Sequence, residues 1–91
     1  MLTKWSTRMQ AEIILPELGI APLVLSVWFA DPGDLVFQGD RLVEVLTAGA
    51  TFDVPAPATG RLVEQRALPD DPLTVGQVLG LVEVEPDDGK S

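Results

Sequence analysis

The side chains of this chain that are able to do chemistry are almost all carboxylates. Fourteen aspartates and glutamates stand against six lysines and arginines, and the 91 residues include no histidine, no cysteine and no tyrosine. The chain therefore lacks the commonest general base, every thiol nucleophile and the usual zinc ligands. Because only carboxylates, hydroxyls and two lysines remain, an enzyme is the weakest interpretation, and we predict no catalytic residue.

Four aspartates occur in two short clusters, DPGD at residues 31–34 and PDDP at residues 69–72. Calcium takes about six to eight oxygen ligands, and the spacing of these aspartates matches no calcium loop. Aspartate beside proline and glycine is instead typical of turns in which the carboxylate accepts a backbone hydrogen bond. We therefore expect two turns here and no metal site.

The charge balance limits the classes of partner. The formal net charge is -8 and no basic cluster is present, so both a phosphate backbone and an anionic lipid surface would be repelled. The apolar runs are far shorter than the roughly 20 residues that cross a bilayer, and residues 1–10 lack the apolar stretch of a secretory signal. We expect no nucleic-acid or membrane role and a cytoplasmic location.

The elements that must position any site are strands. Valine, isoleucine and threonine recur, and glycine or proline interrupts every apolar run before it reaches the ~10–12 residues of a helix. This pattern predicts an all-β fold. Strands are predicted at residues 12–15, 23–29, 35–36, 41–46, 51–54, 61–68, 73–75 and 78–84.

Domain boundaries follow from where this pattern begins and ends. Residues 1–9 show no periodicity and are predicted to form a flexible extension, whereas residues 86–91 are polar and charged and are predicted to form a disordered tail. The folded domain is predicted to span residues 10–85.

An internal repeat is visible in the sequence. Leu23 and Val24 match Leu62 and Val63, and after a slip of two residues the segment 39–45 matches 76–82. Two copies of one strand–turn–strand unit, each too small to bury its own apolar face, are expected to interlock about a pseudo-two-fold axis. The predicted product is a flattened barrel of two sheets.

The ordered segments 13–19, 32–36, 39–40, 42–45, 54–60 and 75–79 resemble the biotinyl/lipoyl carrier domain family. The resemblance extends over residues 12–85. It implies a barrel-sandwich hybrid of two four-stranded antiparallel sheets, in agreement with the repeat.

In that family a lysine at the tip of the central hairpin carries the cofactor, within a stretch reading glutamate, valine, any residue, threonine, aspartate, lysine, alanine. Here residues 44–50 read EVLTAGA, so Ala48 replaces the aspartate and Gly49 the lysine. Amide attachment of lipoate or biotin needs an ε-amine, which glycine lacks. The only lysines, Lys4 and Lys90, lie in the predicted tails, so we expect no cofactor and no cofactor-binding residue.

The same substitutions leave an uncharged, mildly apolar tip on an acidic domain, formed by Leu46, Ala48, Gly49 and Ala50. Alternation places Leu46 on the outer face together with Leu42 and Glu44. Two interpretations remain open. The tip is either a contact site for another protein or a second copy of the chain, or a turn that lost its charges together with its function.

We therefore expect a non-catalytic protein-binding or accessory module. The alternative is a lipoyl or biotinyl carrier, or an accessory component, of a 2-oxoacid dehydrogenase or a biotin-dependent carboxylase. In that case an unusual lysine, or a lysine of a second chain, would hold the cofactor. A third interpretation, a spacer like the related domain of membrane-fusion adaptors, expects long helical arms that this sequence lacks.

Overall fold

The computed structural model of the protein describes residues 9–18 and 22–84, and within them the chain is built from eight strands without a helix. The all-β prediction is confirmed. No helix in the described part of the chain is long and apolar enough to cross a membrane. Residues 1–8 of the predicted extension and the whole predicted tail lie outside the described residues. The strands are β1 Gln10–Ile14, β2 Leu23–Trp28, β3 Leu35–Val36, β4 Arg41–Thr47, β5 Ala50–Pro55, β6 Gly60–Gln65, β7 Pro72–Leu73 and β8 Val78–Val84.

The strands form two antiparallel sheets of four strands each. The first sheet has the order β1-β8-β6-β3, and the second has the order β5-β4-β2-β7. Every strand of the first sheet has its counterpart four strands away in the second, so β1 corresponds to β5, β8 to β4, β6 to β2 and β3 to β7. The predicted two-sheet architecture and its pseudo-two-fold symmetry are confirmed.

Matching hydrogen bonds define the repeat residue by residue. The N–H of Gly33 donates to the carbonyl of Leu62 at 2.7 Å, and the N–H of Asp70 donates to the carbonyl of Leu25 at 2.8 Å. Leu25, rather than Leu23, is therefore the counterpart of Leu62. The sequence match was displaced by two residues because side chains two apart share one face of a strand, so such a shift preserves the hydrophobic pattern. The same residue offset relates the two repeats along their whole length, so the two-residue slip expected from the sequence does not occur.

The aspartate clusters form turns, as their sequences predict. The carboxylate of Asp34 accepts a hydrogen bond from the N–H of Asp31 at 2.8 Å, and in the second repeat Asp71 accepts one from the N–H of Leu68 at 2.9 Å. Both carboxylates satisfy backbone donors that would otherwise have only water as a partner. Within the described ranges, no group of three or more potential metal ligands is found.

The core lies between the two sheets and is made by the inward side chains of both repeats. Leu25, Val45, Leu62 and Val82 are completely buried. Leu42 is also buried, at 1% exposure, whereas the alternation predicted it on the outer face. That prediction is wrong because the β4–β5 register shifts between Arg41 and Val43, and an irregularity of this kind turns one side chain to the opposite face.

Candidate functional site

The predicted tip is the turn of the hairpin formed by β4 and β5. Thr47 pairs with Ala50, so Ala48 and Gly49 alone connect the two strands. Gly49 has a φ of 79°, in the left-handed region that glycine enters without steric penalty. Ala48, Gly49 and Ala50 are exposed, and Leu46 points outward with 40% of its surface accessible. The four predicted tip residues thus lie together at the surface. Their role in binding stays a prediction.

The tip has space for a side chain but offers no amine. A Cβ added at Gly49 would have no neighbouring atom within 4 Å. The part of the chain that the structure describes holds no lysine, and its three arginines all make contacts within the domain. Arg66 pairs with Glu64, Arg41 pairs with Asp53, and Arg61 donates to a backbone carbonyl. No described residue therefore supplies the amine that amide attachment of a cofactor requires.

Thr47 lies directly below the turn and faces the interior, as the alternation predicts. Its side chain is buried, and its hydroxyl has no hydrogen-bond partner within the described residues. A buried hydroxyl without a partner costs about 1–3 kcal/mol.

A second feature, which the sequence did not predict, continues from the tip along the outer surface of the second sheet. Leu46 pairs with Val24 across the β2–β4 ladder, and Glu44 pairs with Val27 in the same ladder and with Asp53 in the β4–β5 ladder. We call these five residues the β4 face. Val27 faces solvent, with 38% of its surface accessible.

The position of Val27 depends on a strand irregularity that the sequence does not reveal. The register of β2 against β4 shifts between Leu25 and Val27. This shift brings Val27 opposite Glu44 on the outer surface, while Leu25 stays in the core. The pairing of strands that are distant in sequence reveals this surface. A constant register of the internal repeat, in place of the two-residue slip, is the sequence signal that could have indicated it.

The charges on the β4 face are not balanced. Glu44 and Asp53 lie directly opposite each other, an arrangement that destabilises a sheet when both side chains are charged. Arg41 contacts the Asp53 carboxylate at 3.4 Å and lies 4.6 Å from the ring centre of Phe29. Within the described residues, the Glu44 carboxylate has no hydrogen bond or ion pair. The guanidinium group of Arg41 therefore pairs with Asp53 and leaves Glu44 without a cationic partner among the described residues.

The chain is similar to known proteins in both sequence and fold. The family described as "Biotin-requiring enzyme", a biotin/lipoyl family, matches residues 11–82. The chain is 32% identical over 75 residues to the lipoamide acyltransferase component of the branched-chain alpha-keto acid dehydrogenase complex of Pseudomonas putida. It is 36% identical over 77 residues to the dihydrolipoyllysine-residue succinyltransferase component of the 2-oxoglutarate dehydrogenase complex of Bartonella vinsonii subsp. berkhoffii.

These matches cover 80% and 82% of this chain but only 18% and 19% of the two relatives. The chain thus spans about a fifth of the length of the curated proteins it resembles. Among solved structures, the lipoyl domain of the 2-oxoglutarate dehydrogenase complex from Azotobacter vinelandii is similar, with a TM-score of 0.65 and 27% identity. That match covers 81% of this chain and 98% of the other, so the likeness extends to a whole domain.

Proposed function

The chain belongs to the biotin/lipoyl domain family, and from this membership we propose that it is an unmodified lipoyl-type domain that binds another protein. Its relatives are components of 2-oxoacid dehydrogenase complexes, so we propose an accessory role in an assembly of that class. A domain of this family is at most a carrier or accessory part of a multienzyme complex and has no catalytic role of its own.

One observation carries the proposal that no cofactor is attached. The β4–β5 hairpin keeps its strand pairing up to the turn, yet Gly49 provides no side chain at the position where the resemblance expects a lysine. The guanidinium groups of the described residues cannot replace the amine because arginine stays protonated at physiological pH. These observations support the proposal that the fold that presents a carrier group is present here without its acceptor.

The proposed binding of a protein is supported by what lies beside the acceptor position. Leu46 exposes apolar surface next to the turn and is itself part of the β4 face. An apolar patch rimmed by polar groups is typical of protein interaction sites. The strong negative charge of the chain argues for a protein partner rather than a nucleic acid or an anionic membrane.

The alternative function is a lipoyl or biotinyl carrier that uses an unusual lysine. It is favoured by the similarity to a lipoamide acyltransferase and a dihydrolipoyllysine-residue succinyltransferase, at 32% and 36% identity over about four-fifths of the chain. The acceptor would then be Lys4 or Lys90, or a lysine of a second chain that acts beside this one. A cofactor on this chain would be revealed by its mass.

The test is an in vitro modification assay with a lipoate ligase and, separately, a biotin ligase, read by intact mass spectrometry. We expect the natural chain to keep its unmodified mass. The variant that combines Ala48→Asp with Gly49→Lys restores the two family residues and is expected to accept a cofactor. Attachment to the natural chain would overturn the proposal. A folded double variant that neither ligase modifies would mean that the tip differs from an acceptor by more than these two residues.

A further inference from the structure

The pseudo-two-fold repeat provides an internal comparison of the two outer surfaces. Because one register relates the halves, each outward position on the second sheet has an equivalent on the first sheet, with the same strand pairing. Four outward positions that carry charge in the strands of the first sheet, or one residue beyond them, are apolar at the equivalent places of the second. They are Glu83, Arg61, Glu64 and Arg66 on the first sheet, and Leu46, Val24, Val27 and Phe29, respectively, on the second.

The polarity at the centre of each surface is reversed as well. Leu81 occupies this position on the first sheet and is 7% exposed, with Glu12 and Glu64 as its cross-strand neighbours. Its equivalent on the second sheet is Glu44, a half-buried carboxylate beside Val27. The fold does not need apolar side chains at these outer positions, since charged ones serve on the first sheet. The apolar side chains beside Glu44 on β2 and β4 therefore point to a use outside the fold.

We propose that the β4 face binds a partner segment that carries a lysine or arginine between two apolar side chains, with the cation paired to Glu44. This proposal rests on the proposed function as a protein-binding domain and adds the surface and the chemistry of the partner. It concerns the outer surface of the second sheet, which extends from Leu46 away from the turn.

Charge complementarity identifies this occupant. Glu44 and Asp53 face each other, and Arg41 contacts only Asp53 among them at 3.4 Å. A second cation next to Glu44 would compensate the like-charge pair. A symmetric contact between the β4 faces of two copies does not provide it, because it would bring like carboxylates together on molecules that each carry a formal charge of -8.

The spacing on the face matches an extended segment. Leu46 and Glu44 are two residues apart on one strand, about 7 Å at the usual rise per residue. On β2, Val24 lies beside Leu46 and Val27 lies beside Glu44, so each pair forms one row across the two strands. The Phe29 ring and the Arg41 guanidinium form the next row beyond Glu44. Alternate side chains of an extended peptide have the same ~7 Å spacing. Its central cation would lie over Glu44 and its two apolar side chains over the neighbouring rows.

The probes are capped pentapeptides titrated into the isotopically labelled full chain and followed by NMR. One peptide reads leucine, threonine, lysine, threonine, leucine; the second exchanges the leucines and the lysine, so that it carries two lysines around one leucine. We expect the first peptide to shift the amide signals of the β4 face and to bind at least threefold more tightly than the second. General attraction to an acidic protein would favour the second peptide, which has twice the charge.

Matched variants locate the contact. Glu44→Gln is expected to weaken binding of the first peptide at least fivefold. Glu12→Gln removes the same charge from the first sheet, at the position equivalent to Asp53, and is expected to change binding less than twofold. Equal losses in both variants, tighter binding of the two-lysine peptide, shifts confined to the first sheet, or no binding at low-millimolar peptide would each overturn the proposal.

Two further readouts separate the possible failures. Sedimentation of the full chain that shows a dimer broken by Val27→Lys would assign the face to a second copy and overturn the proposed partner. Intact mass of the same sample reports on the proposed function independently. A bound cofactor would refute the unmodified state whatever the peptides do, whereas an unmodified chain whose peptide contacts lie elsewhere would refute the β4 face alone.

Discussion

Substitution of Gly49 tests whether the tip is built around glycine. Gly49 has a φ of 79°, and a Cβ at this position would meet no atom within 4 Å. Any cost of a side chain here is therefore conformational, without a steric clash. Ala48 provides a matched control because it lies in the same turn and does not have a positive φ.

The magnitude follows from the left-handed conformation. A side chain with a Cβ in this region costs about 1–2 kcal/mol. In a domain of this size, each kcal/mol lowers the Tm by about 4–8 °C. Gly49→Ala and Gly49→Lys should therefore lower the Tm by similar amounts, since both add the same Cβ and the lysine extends into open space. Ala48→Lys should change stability by less than about 0.5 kcal/mol.

The assay is thermal unfolding of the four proteins, followed by circular dichroism at one protein concentration. Equal losses for the two Gly49 variants, with an unchanged Ala48→Lys variant, would support the geometry. A Gly49→Lys variant that loses far more than Gly49→Ala would contradict the open space at the tip. If Gly49→Ala has the same Tm as the unsubstituted chain, the turn does not need a residue in the left-handed region, and the conformational cost expected from the φ of Gly49 is absent.

Three further predictions concern the face, the core and the tip. Glu44→Gln should raise the free energy of unfolding, measured in urea, by about 0.2–1 kcal/mol, because it removes the like-charge pair with Asp53. A loss of stability would show that the pair is not repulsive. Gly60→Ala should prevent folding or reduce stability severely, because its Cβ would clash with the backbone carbonyl of Glu83. Circular dichroism and a urea titration would measure this, and an unfolding curve like that of the unsubstituted chain would contradict the close approach. Leu46→Glu should weaken partner binding in a pull-down while stability changes by less than about 0.5 kcal/mol, because this side chain is 40% exposed; unchanged binding would show that the tip is inert.

Much of the fold could be predicted from the sequence because turns interrupt it so regularly. Proline and glycine end nearly every apolar run, and each predicted strand overlaps an observed one. The strand β6 ends at Gln65, earlier than the predicted end at residue 68. The segment 61–68 looks continuous in sequence, although only its first part pairs with β8.

The departures from the predictions arise where strand pairing is irregular. Leu42 is buried because the β4–β5 ladder shifts beside it, and Val27 comes opposite Glu44 because the β2–β4 ladder shifts. A period of two cannot foresee such shifts, since they depend on hydrogen bonds between strands that are distant in sequence. The alignment of Leu23 with Leu62 was displaced for a related reason, since a shift of two residues keeps every side chain on its face of the strand.

The two parts of the candidate site differed in how visible they were. The tip could be located because the stretch 44–50 is continuous in sequence and its flanks match a family pattern. The β4 face could not, because Val24, Glu44 and Asp53 come from three different strands and meet only in the second sheet. Leu46 is the one residue that belongs to both.

The central claim is that this member of the biotin/lipoyl family carries no cofactor, and the intact mass of the chain purified from the cells that naturally produce it tests that claim most directly. We predict the unmodified mass, with Lys4 and Lys90 free of lipoate and biotin after proteolysis and fragmentation. A mass increase equal to either cofactor, located on one of these lysines, would contradict the account and establish the chain as a carrier.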